Sequence, residues 1–300
     1  MFADALLLLP DFLLILAGFA LCRWTALDRE VWAAVERLVY WLLFPVLLFA
    51  SIIKSPLNPG TTVALALGGL AVVGLGFLLT LLLGRFRTLA GLQLASGAQC
   101  AFRFNSYVAL ALAERLGGAP YLAWTALLLA VCVPLCNAGA VWTLARHGGQ
   151  NVWREVLRNP LIAGTLAGLA GNMAGVHLPA VVDTSLTRVS GAALPLGLMA
   201  VGAGLQLGGL QKAPGLAALL LGIRHAVLPL AGLGVGLLLG LPKDQARTLL
   251  AFAALPTASS AFVLAARMGG DAPYVAGLIT ASTLLGMLSI PLSLALFALV

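Results

Sequence analysis

Long apolar stretches follow one another along the whole 300-residue chain. A helix that crosses a bilayer needs about 20 apolar residues, and we count ten stretches that approach or exceed this length. The ten predicted spans cover residues 4–22, 35–53, 62–83, 89–116, 121–144, 161–176, 187–207, 215–239, 245–268 and 274–300. The pattern predicts an all-α polytopic membrane protein.

The composition excludes a soluble domain and several classes of function. Hydrophobic residues make up 61% of the chain and charged residues only 9%, whereas soluble domains carry about 25% charged residues. The net charge of +7 does not indicate nucleic acid, because the basic residues lie in short loops where they meet anionic lipid. Cys132 and Cys136 lie one helical turn apart, but two soft ligands do not make a metal site. We therefore expect no metal or other cofactor. With neither paired aspartates nor a nucleotide-binding loop in view, we expect no enzyme activity.

One unusual segment occurs twice, about 150 residues apart. Residues 99–121 read QCAFRFNSYVALALAERLGGAPY, and residues 251–274 read AFAALPTASSAFVLAARMGGDAPY. At an offset of 152, Asn105 falls on Thr257, and one added residue, Asp271, brings the following Pro-Tyr pairs into line. We interpret this as an ancient duplication. Such repeats are typical of secondary transporters, whose binding sites lie where the repeats meet.

Each half contains five predicted spans, and this odd number requires the repeat to be inverted. The halves are residues 1–146 and 160–300, joined by a polar linker at 147–159. With the N-terminus outside, ten basic loop residues lie inside and five outside, which the positive-inside rule favours. We therefore predict that both termini are outside and that the linker is cytoplasmic.

Both copies of the segment carry polar residues in the middle of an apolar stretch. Pro256 cannot donate a backbone N–H and disfavours helix at the residue before it, so it predicts a break in the ninth span. In the fourth span Phe104 takes the equivalent place, and the predicted break depends on Arg103 and Asn105. Helices that begin at such breaks would direct their N-termini at the protein centre and form an anion site. The alternative for Pro256 is a simple kink in a packed helix.

Arg103 and Arg224 fall inside predicted spans, where no acidic residue is available to neutralise them. An arginine at membrane depth costs about 3 kcal/mol or more. Arg103 therefore either attracts a substrate carboxylate or braces the break through neutral groups, and the sequence leaves both interpretations open. His225 is predicted to be a helix-packing residue.

At these residues the chain resembles the auxin efflux carrier family, as a bacterial member of the inner membrane. Five segments carry the resemblance: LPDFLLILAGFALCR, RFNSYVALALAERLGG, RHAVLPL, ALPTASSAFVLAARMGGD and LITASTLLGMLSIPL. The resemblance implies two inverted five-helix repeats, a scaffold domain beside a transport domain, and broken fourth and ninth helices that cross. This fold is similar to that of bile-acid symporters and sodium/proton antiporters. Family members carry organic anions such as auxin or malonate.

The resemblance also assigns roles to residues. In the plant carriers a proline followed by an amide contacts the substrate carboxylate at each crossover. Asn105 matches the amide and Pro256 the proline, whereas Phe104 and Thr257 depart from the pattern. The predicted substrate-binding residues are Arg103, Asn105, Ser106, Pro256, Thr257 and Ser259. Polar residues predicted to support the site or an ion are Gln99, Asn137, Gln206 and Ser260. Residues predicted to act in gating or in the scaffold are Pro45, Pro195 and Arg224.

Three functional hypotheses follow. The first is a secondary carrier of small organic anions, working by elevator-type alternating access and driven by the membrane potential. The second is a sodium-coupled symporter that binds the ion through neutral oxygens. The third is a membrane sensor that binds a ligand without moving it. The expected partners are an organic anion and the lipid membrane, with no nucleic acid, and the fold leads us to expect a homodimer formed through the scaffold.

Overall fold

Helices make up all the regular structure of the described residues. The computed structural model describes residues 2–54, 59–86, 91–144, 160–206 and 208–298, which contain no β-strand. The linker predicted at 147–159 lies outside them. The α-helices are α1 Phe2–Trp24, α2 Arg29–Leu38, α3 Phe44–Ile53, α4 Pro59–Leu83, α5 Leu92–Gly97, α6 Gln99–Phe102, α7 Ser106–Gly117, α8 Ala119–Leu144, α9 Pro160–Met173, α10 Ala180–Gly191, α11 Ala193–Ala203, α12 Pro214–Gly222, α13 Leu228–Leu238, α14 Lys243–Ala253, α15 Ser260–Arg267 and α16 Ala272–Phe297. Two π-helical turns, Val39–Leu43 and Ile223–Val227, and a 3₁₀ turn, Leu210–Lys212, complete the set.

Six segments of the described chain are long and apolar enough to cross a membrane. They are Arg29–Ala50, Thr62–Leu83, Ala119–Leu144, Ala180–Ala203, Pro214–Leu238 and Ala272–Phe297. These coincide with the predicted second, third, fifth, seventh, eighth and tenth spans. The apolar part of α1, Phe12–Trp24, is shorter, α9 has 14 residues, and the fourth and ninth spans are interrupted. The arrangement of all ten as an inverted repeat stays a prediction.

Two spans begin more than one helical turn earlier than the sequence predicted. The second span starts at Arg29 instead of residue 35, because Asp28 caps it by accepting hydrogen bonds from two N–H groups of its first turn. The seventh span starts at Ala180 instead of residue 187. In both cases the added turns contain polar residues, so they lack the apolar signal by which spans were recognised.

Prolines coincide with irregular backbone in three of the spanning segments. Pro45 and Pro229 are each the second residue of the α-helix that follows a π-helical turn. Pro195 lies three residues after Ala192, where α10 gives way to α11. A proline cannot donate to the carbonyl four residues earlier, and a local change of helical pitch accommodates the missing bond. The gating or scaffold roles of Pro45 and Pro195 stay predictions.

The first helix of each half packs against the second helix of the other half. In one pair α1 crosses α11, and in the other α9 crosses α3. Glycines permit both contacts: a Cβ on Gly202 would collide with the carbonyl oxygen of Ile15, and one on Gly164 would collide with that of Pro45. The close approach of these backbones therefore requires glycine.

Asp271, the residue added in the second copy of the repeat, joins the 3₁₀ turn Leu210–Lys212, α5 and the first turn of α16. Its carboxylate accepts hydrogen bonds from Lys212 Nζ (2.7 and 2.8 Å), from Gln93 Nε2 (3.3 Å) and from the N–H of Tyr274 (3.1 Å) at the start of α16. Burial alone would raise the pKa of this carboxyl group, but these hydrogen bonds and the Lys212 charge lower it below its ordinary value of 3.8. Asp271 therefore holds these elements together at one end of the helix bundle.

Candidate functional site

The first break separates α6 from α7 by three residues. Arg103 (φ −79°, ψ 140°) and Asn105 (φ −82°, ψ 107°) are extended. The Asn105 side-chain oxygen accepts hydrogen bonds from the N–H groups of Tyr107 (3.0 Å) and Val108 (3.3 Å), which is the usual N-cap arrangement. Asn105 thus starts α7 from inside the protein, where it is 1% exposed.

The second break lies between α14 and α15, at residues 254–259, and it meets the first. The Asn105 N–H donates to the carbonyl oxygen of Pro256 (2.8 Å), and Phe104 forms an isolated antiparallel β-bridge with Thr257. Buried backbone groups need partners, and each break supplies some for the other. Both interruptions predicted from the sequence are therefore present, and they touch.

Phe104 shows how the first break forms without a proline. Its ring packs against Phe252 with centroids 4.5 Å apart in an edge-to-face arrangement. The side chain is 4% exposed. The β-bridge and this ring contact hold the backbone extended, so tertiary contacts take the place of the covalent constraint that Pro256 provides.

Thr257 is fully buried and turned into the fold. Its hydroxyl donates to the carbonyl oxygen of Cys100 in α6 (2.7 Å), and its N–H donates to Ser282 Oγ on α16 (2.8 Å). The carbonyls at a helix C-terminus lack intrahelical partners, and the Thr257 hydroxyl satisfies one of them. Its geometry is that of a brace between the breaks.

Arg103 is buried, and its guanidinium binds only neutral groups. Nη1 donates to Gln99 Oε1 (2.7 Å), and Nη2 donates to Ser260 Oγ (3.0 Å) and Asn137 Oδ1 (3.3 Å). The residue is 8% exposed. None of the ion pairs between described residues involves it. Its positive charge therefore lies inside the protein, away from lipid and without a carboxylate partner.

Arg224 closes the carbonyl end of α14 just before the second break. Its Nε donates to Leu255 O (2.6 Å), and Nη2 donates to Ala253 O (2.8 Å) and Phe252 O (3.4 Å). It is 1% exposed. A cation at a helix C-terminus complements both the free carbonyls and the helix dipole. Arg224 thus braces the break.

A cavity of about 210 Å³ lies against the crossing breaks. Asn105, Ser106, Ser259 and Ser260 line it from the breaks. The other walls contain Arg29, Glu36, Tyr40, Phe104, Tyr107, Gly204, Gln206, Ala258, Phe262, Ala276 and Ile279. A concave site with a few convergent polar groups is the usual form of a small-molecule site.

The second half of the chain matches a known family. Residues 143–294, just over half of the chain, match the family model described as membrane transport protein, Mem_trans. The chain belongs to this auxin efflux carrier-type family. Comparison with curated proteins gave no match. Together with the apolar helices, family membership makes the protein a multi-pass membrane transporter.

The cavity of this transporter is lined by five of the ten residues predicted to bind substrate or to support the site. Asn105, Ser106 and Ser259 line it as predicted substrate-binding positions, and Ser260 lines it as a predicted support. Gln206 lines it as well. Its N–H donates to Thr280 Oγ1 (3.0 Å), and the Thr280 hydroxyl donates to the carbonyl oxygen of Gln206 (2.8 Å). The predicted residues that do not line it are Arg103, Gln99, Asn137, Pro256, Thr257, Pro45, Pro195 and Arg224.

Three residues of the transporter's cavity wall escaped the sequence analysis. Arg29, Glu36 and Tyr40 face the cavity from α2 and the π-helical turn after it. Arg29 Nη2 lies 3.0 Å from Glu36 Oε1. Their spacing of seven and four residues places them on one helical face. This spacing would have identified the three residues if the helix had been predicted to begin at Arg29.

Proposed function

We propose that this transporter carries small organic anions, carboxylates of the malonate or auxin type, by elevator-type alternating access. The observation that carries the proposal is the buried guanidinium of Arg103, which has no carboxylate partner among the described residues and lies directly behind a cavity. A buried charge is costly unless it is compensated. An anion in the cavity would compensate it.

Two serine hydroxyls are arranged to donate hydrogen bonds to such an anion. Ser259 Oγ accepts a hydrogen bond from Asn105 Nδ2 (3.2 Å), and Ser260 Oγ accepts one from Arg103 Nη2 (3.0 Å). A hydroxyl has one hydrogen to donate, and both serines line the cavity, so each can donate this hydrogen to an anion there. The amide and the guanidinium also polarise these hydroxyls. Arg103 thus acts on the substrate through Ser260, and Asn105 through Ser259.

The walls of the cavity support an elevator mechanism. Arg29, Glu36 and Tyr40 come from the predicted scaffold, whereas the serines come from the predicted transport domain. The reciprocal packing of α1 with α11 and of α9 with α3 supports the inverted repeat on which this division depends. The positive-inside rule places both termini outside the bacterial inner membrane. The cavity then opens to the cytoplasm, since α1 ends and α2 begins on that side.

The membrane potential is sufficient as a driving force for export. Moving one elementary charge across 100 mV is worth about 2.3 kcal/mol. A monoanion leaving a negative interior gains this free energy directly. An acidic proton relay would need carboxylates inside the spans, and Glu36, which lies within the span Arg29–Ala50, is paired there with Arg29 (3.0 Å).

The test is labelled malonate and auxin flux in proteoliposomes with two variants. Asn105→Asp keeps the oxygen that caps α7 but replaces the donor to Ser259 with a negative charge, so we expect flux to be abolished in a folded protein. Ser259→Ala with Ser260→Ala removes both donors, and we expect a loss of at least about tenfold, since a hydrogen bond to a charged group is worth about 1.5–3 kcal/mol.

Ser185→Ala is the matched control. Ser185 is exposed on α10, and its hydroxyl donates only within its own helix, to Val181 O (2.8 Å). This variant should transport at the parent rate. Parent-like flux in the Asn105 and double serine variants would contradict the proposed site.

A further inference from the structure

The guanidinium of Arg103 lies in a nest of neutral oxygens behind the cavity. The oxygens are Gln99 Oε1, Asn137 Oδ1 and Ser260 Oγ, at 2.7, 3.3 and 3.0 Å from its nitrogens. They belong to α6, α8 and α15, so three helices converge on one positive charge. We call these three residues the oxygen nest. None of them carries a charge.

Hydrogen bonds of the Gln99 amide nitrogen fix the orientation of the side-chain oxygen independently of Arg103. Gln99 Nε2 donates to the carbonyl oxygens of Ser96 (3.1 Å) and Ala261 (3.2 Å). The two donors of the amide are used in this way, so Oε1 must face Arg103. Gln99 is 0% exposed. Oriented neutral oxygens inside a transporter are the kind of environment that binds an alkali cation.

We propose that Arg103 is a tethered cation that takes the place of a dissociable alkali ion, so that this carrier moves its anion without cation coupling. The inference rests on the proposed function and refines it. Gln99 and Asn137 were the neutral oxygens considered for a coupling sodium, and both are directed at the guanidinium. Sodium and the guanidinium cannot share the nest, because their charges repel at this distance.

The first experiment measures binding without transport. Purified Arg103→Ala leaves the nest empty, and we expect its thermal unfolding midpoint to rise on addition of millimolar sodium or guanidinium ion, but not of choline. The parent protein should show no such rise. Binding to the folded state alone stabilises by mass action, so the readout holds whether or not malonate is a substrate. Arg37→Ala, which removes an exposed arginine of α2, is the control and should behave as the parent.

The second experiment measures malonate uptake in proteoliposomes prepared in choline, sodium or guanidinium buffer. The parent should transport equally in sodium and choline. Arg103→Ala should lose at least about tenfold in choline and recover in sodium or guanidinium, while Arg103→Lys should transport without either ion. If Arg103→Ala fails to fold, Asn137→Asp provides the same test, because a carboxylate at this position of the nest neutralises the guanidinium while preserving the contact with Nη2. Its uptake should fall while its unfolding midpoint is maintained.

Several results would overturn the inference. They are sodium-dependent uptake by the parent, parent-like uptake by Arg103→Ala in choline, no response of folded Arg103→Ala to sodium or guanidinium, and parent-like uptake by Asn137→Asp. A parent that moves no carboxylate would instead contradict the proposed function. In that case the thermal measurement on Arg103→Ala still decides whether the nest binds a cation.

Discussion

Two buried arginines, Arg103 and Arg224, have different roles at the crossing breaks. Arg224 donates hydrogen bonds to the backbone carbonyls of residues 252, 253 and 255, so it stabilises the C-terminal end of α14. Arg103 binds three side chains, and one of them, Ser260, faces the cavity. The partners, and not the burial, separate a structural arginine from one that acts on a ligand.

Arg224→Met should destabilise the transporter strongly. It removes the Arg224 donor from the buried carbonyls of Ala253 and Leu255, whereas that of Phe252 keeps the N–H of Leu255 (3.3 Å). Each unsatisfied group costs about 1–3 kcal/mol. We expect a markedly lower thermal unfolding midpoint in detergent, with partial recovery in Arg224→Lys. Arg37→Met makes the same change on the exposed face of α2 and should leave the midpoint within experimental error. A parent-like midpoint for Arg224→Met would show that these hydrogen bonds are dispensable.

For single residues, the sequence predicted the positions of the two breaks more accurately than the contacts that each side chain makes. Pro256 is recognisable because its missing N–H acts locally, and the polar character of Arg103 and Asn105 marked the first break. The partner of Thr257, the carbonyl of Cys100, lies 157 residues away. No local pattern specifies such a contact, so the inward turn of this hydroxyl could not be predicted.

Among the elements, α2 matters more than the sequence suggested. Its residues Arg29 and Glu36 form an ion pair of 3.0 Å on the cavity wall, with side chains 49% and 30% exposed. An exposed ion pair contributes little to stability. Under the proposed function it places a carboxylate where the anion enters, so that the anion competes with Glu36 for Arg29.

Glu36→Gln should therefore lower KM for carboxylates by a few-fold, with little change in the maximal rate. Removing the like charge favours anion entry through longer-range electrostatics, and the effect should shrink at high salt. Glu30→Gln, one residue from Arg29 on the same helix but not lining the cavity, is the matched control. An unchanged KM in Glu36→Gln, or an equal change in Glu30→Gln, would remove Glu36 from the substrate path.

The start of α2 also shows why this wall was missed. The first turns of the helix are polar and capped by Asp28, so they resemble a loop when spans are identified by hydrophobicity alone. The break in α14–α15 was predicted from proline chemistry, which is local. The break in α6–α7 was predicted by analogy with it, and the contact between Phe104 and Phe252 that holds it extended is visible only in the fold.

For the whole molecule, the central question is whether the crossing breaks move relative to α1–α3. Phe44 of α3 and Tyr107 of α7 meet across this boundary, with ring centroids 4.9 Å apart. An elevator motion would separate them, because Tyr107 moves with the breaks and Phe44 belongs to the proposed scaffold.

A cysteine pair at these positions should lock the transporter. We expect Phe44→Cys with Tyr107→Cys, in a Cys22→Ser background, to lose flux when a short bis-methanethiosulfonate joins the two thiols through disulfides. Flux should return when a reductant cleaves these disulfides. Each single cysteine variant is the control and should be insensitive to the reagent. Full flux after complete cross-linking would contradict a relative movement of these elements.

The central claim is that a buried positive charge behind the cavity selects anions, and equilibrium binding of labelled malonate to the purified protein tests it most directly. We predict saturable binding that unlabelled malonate displaces and that malonamide, which has a similar shape but no charge, does not displace. Binding should be lost in Asn105→Asp and retained in Ser185→Ala. Equal displacement by malonamide, or undiminished binding by Asn105→Asp, would contradict the account.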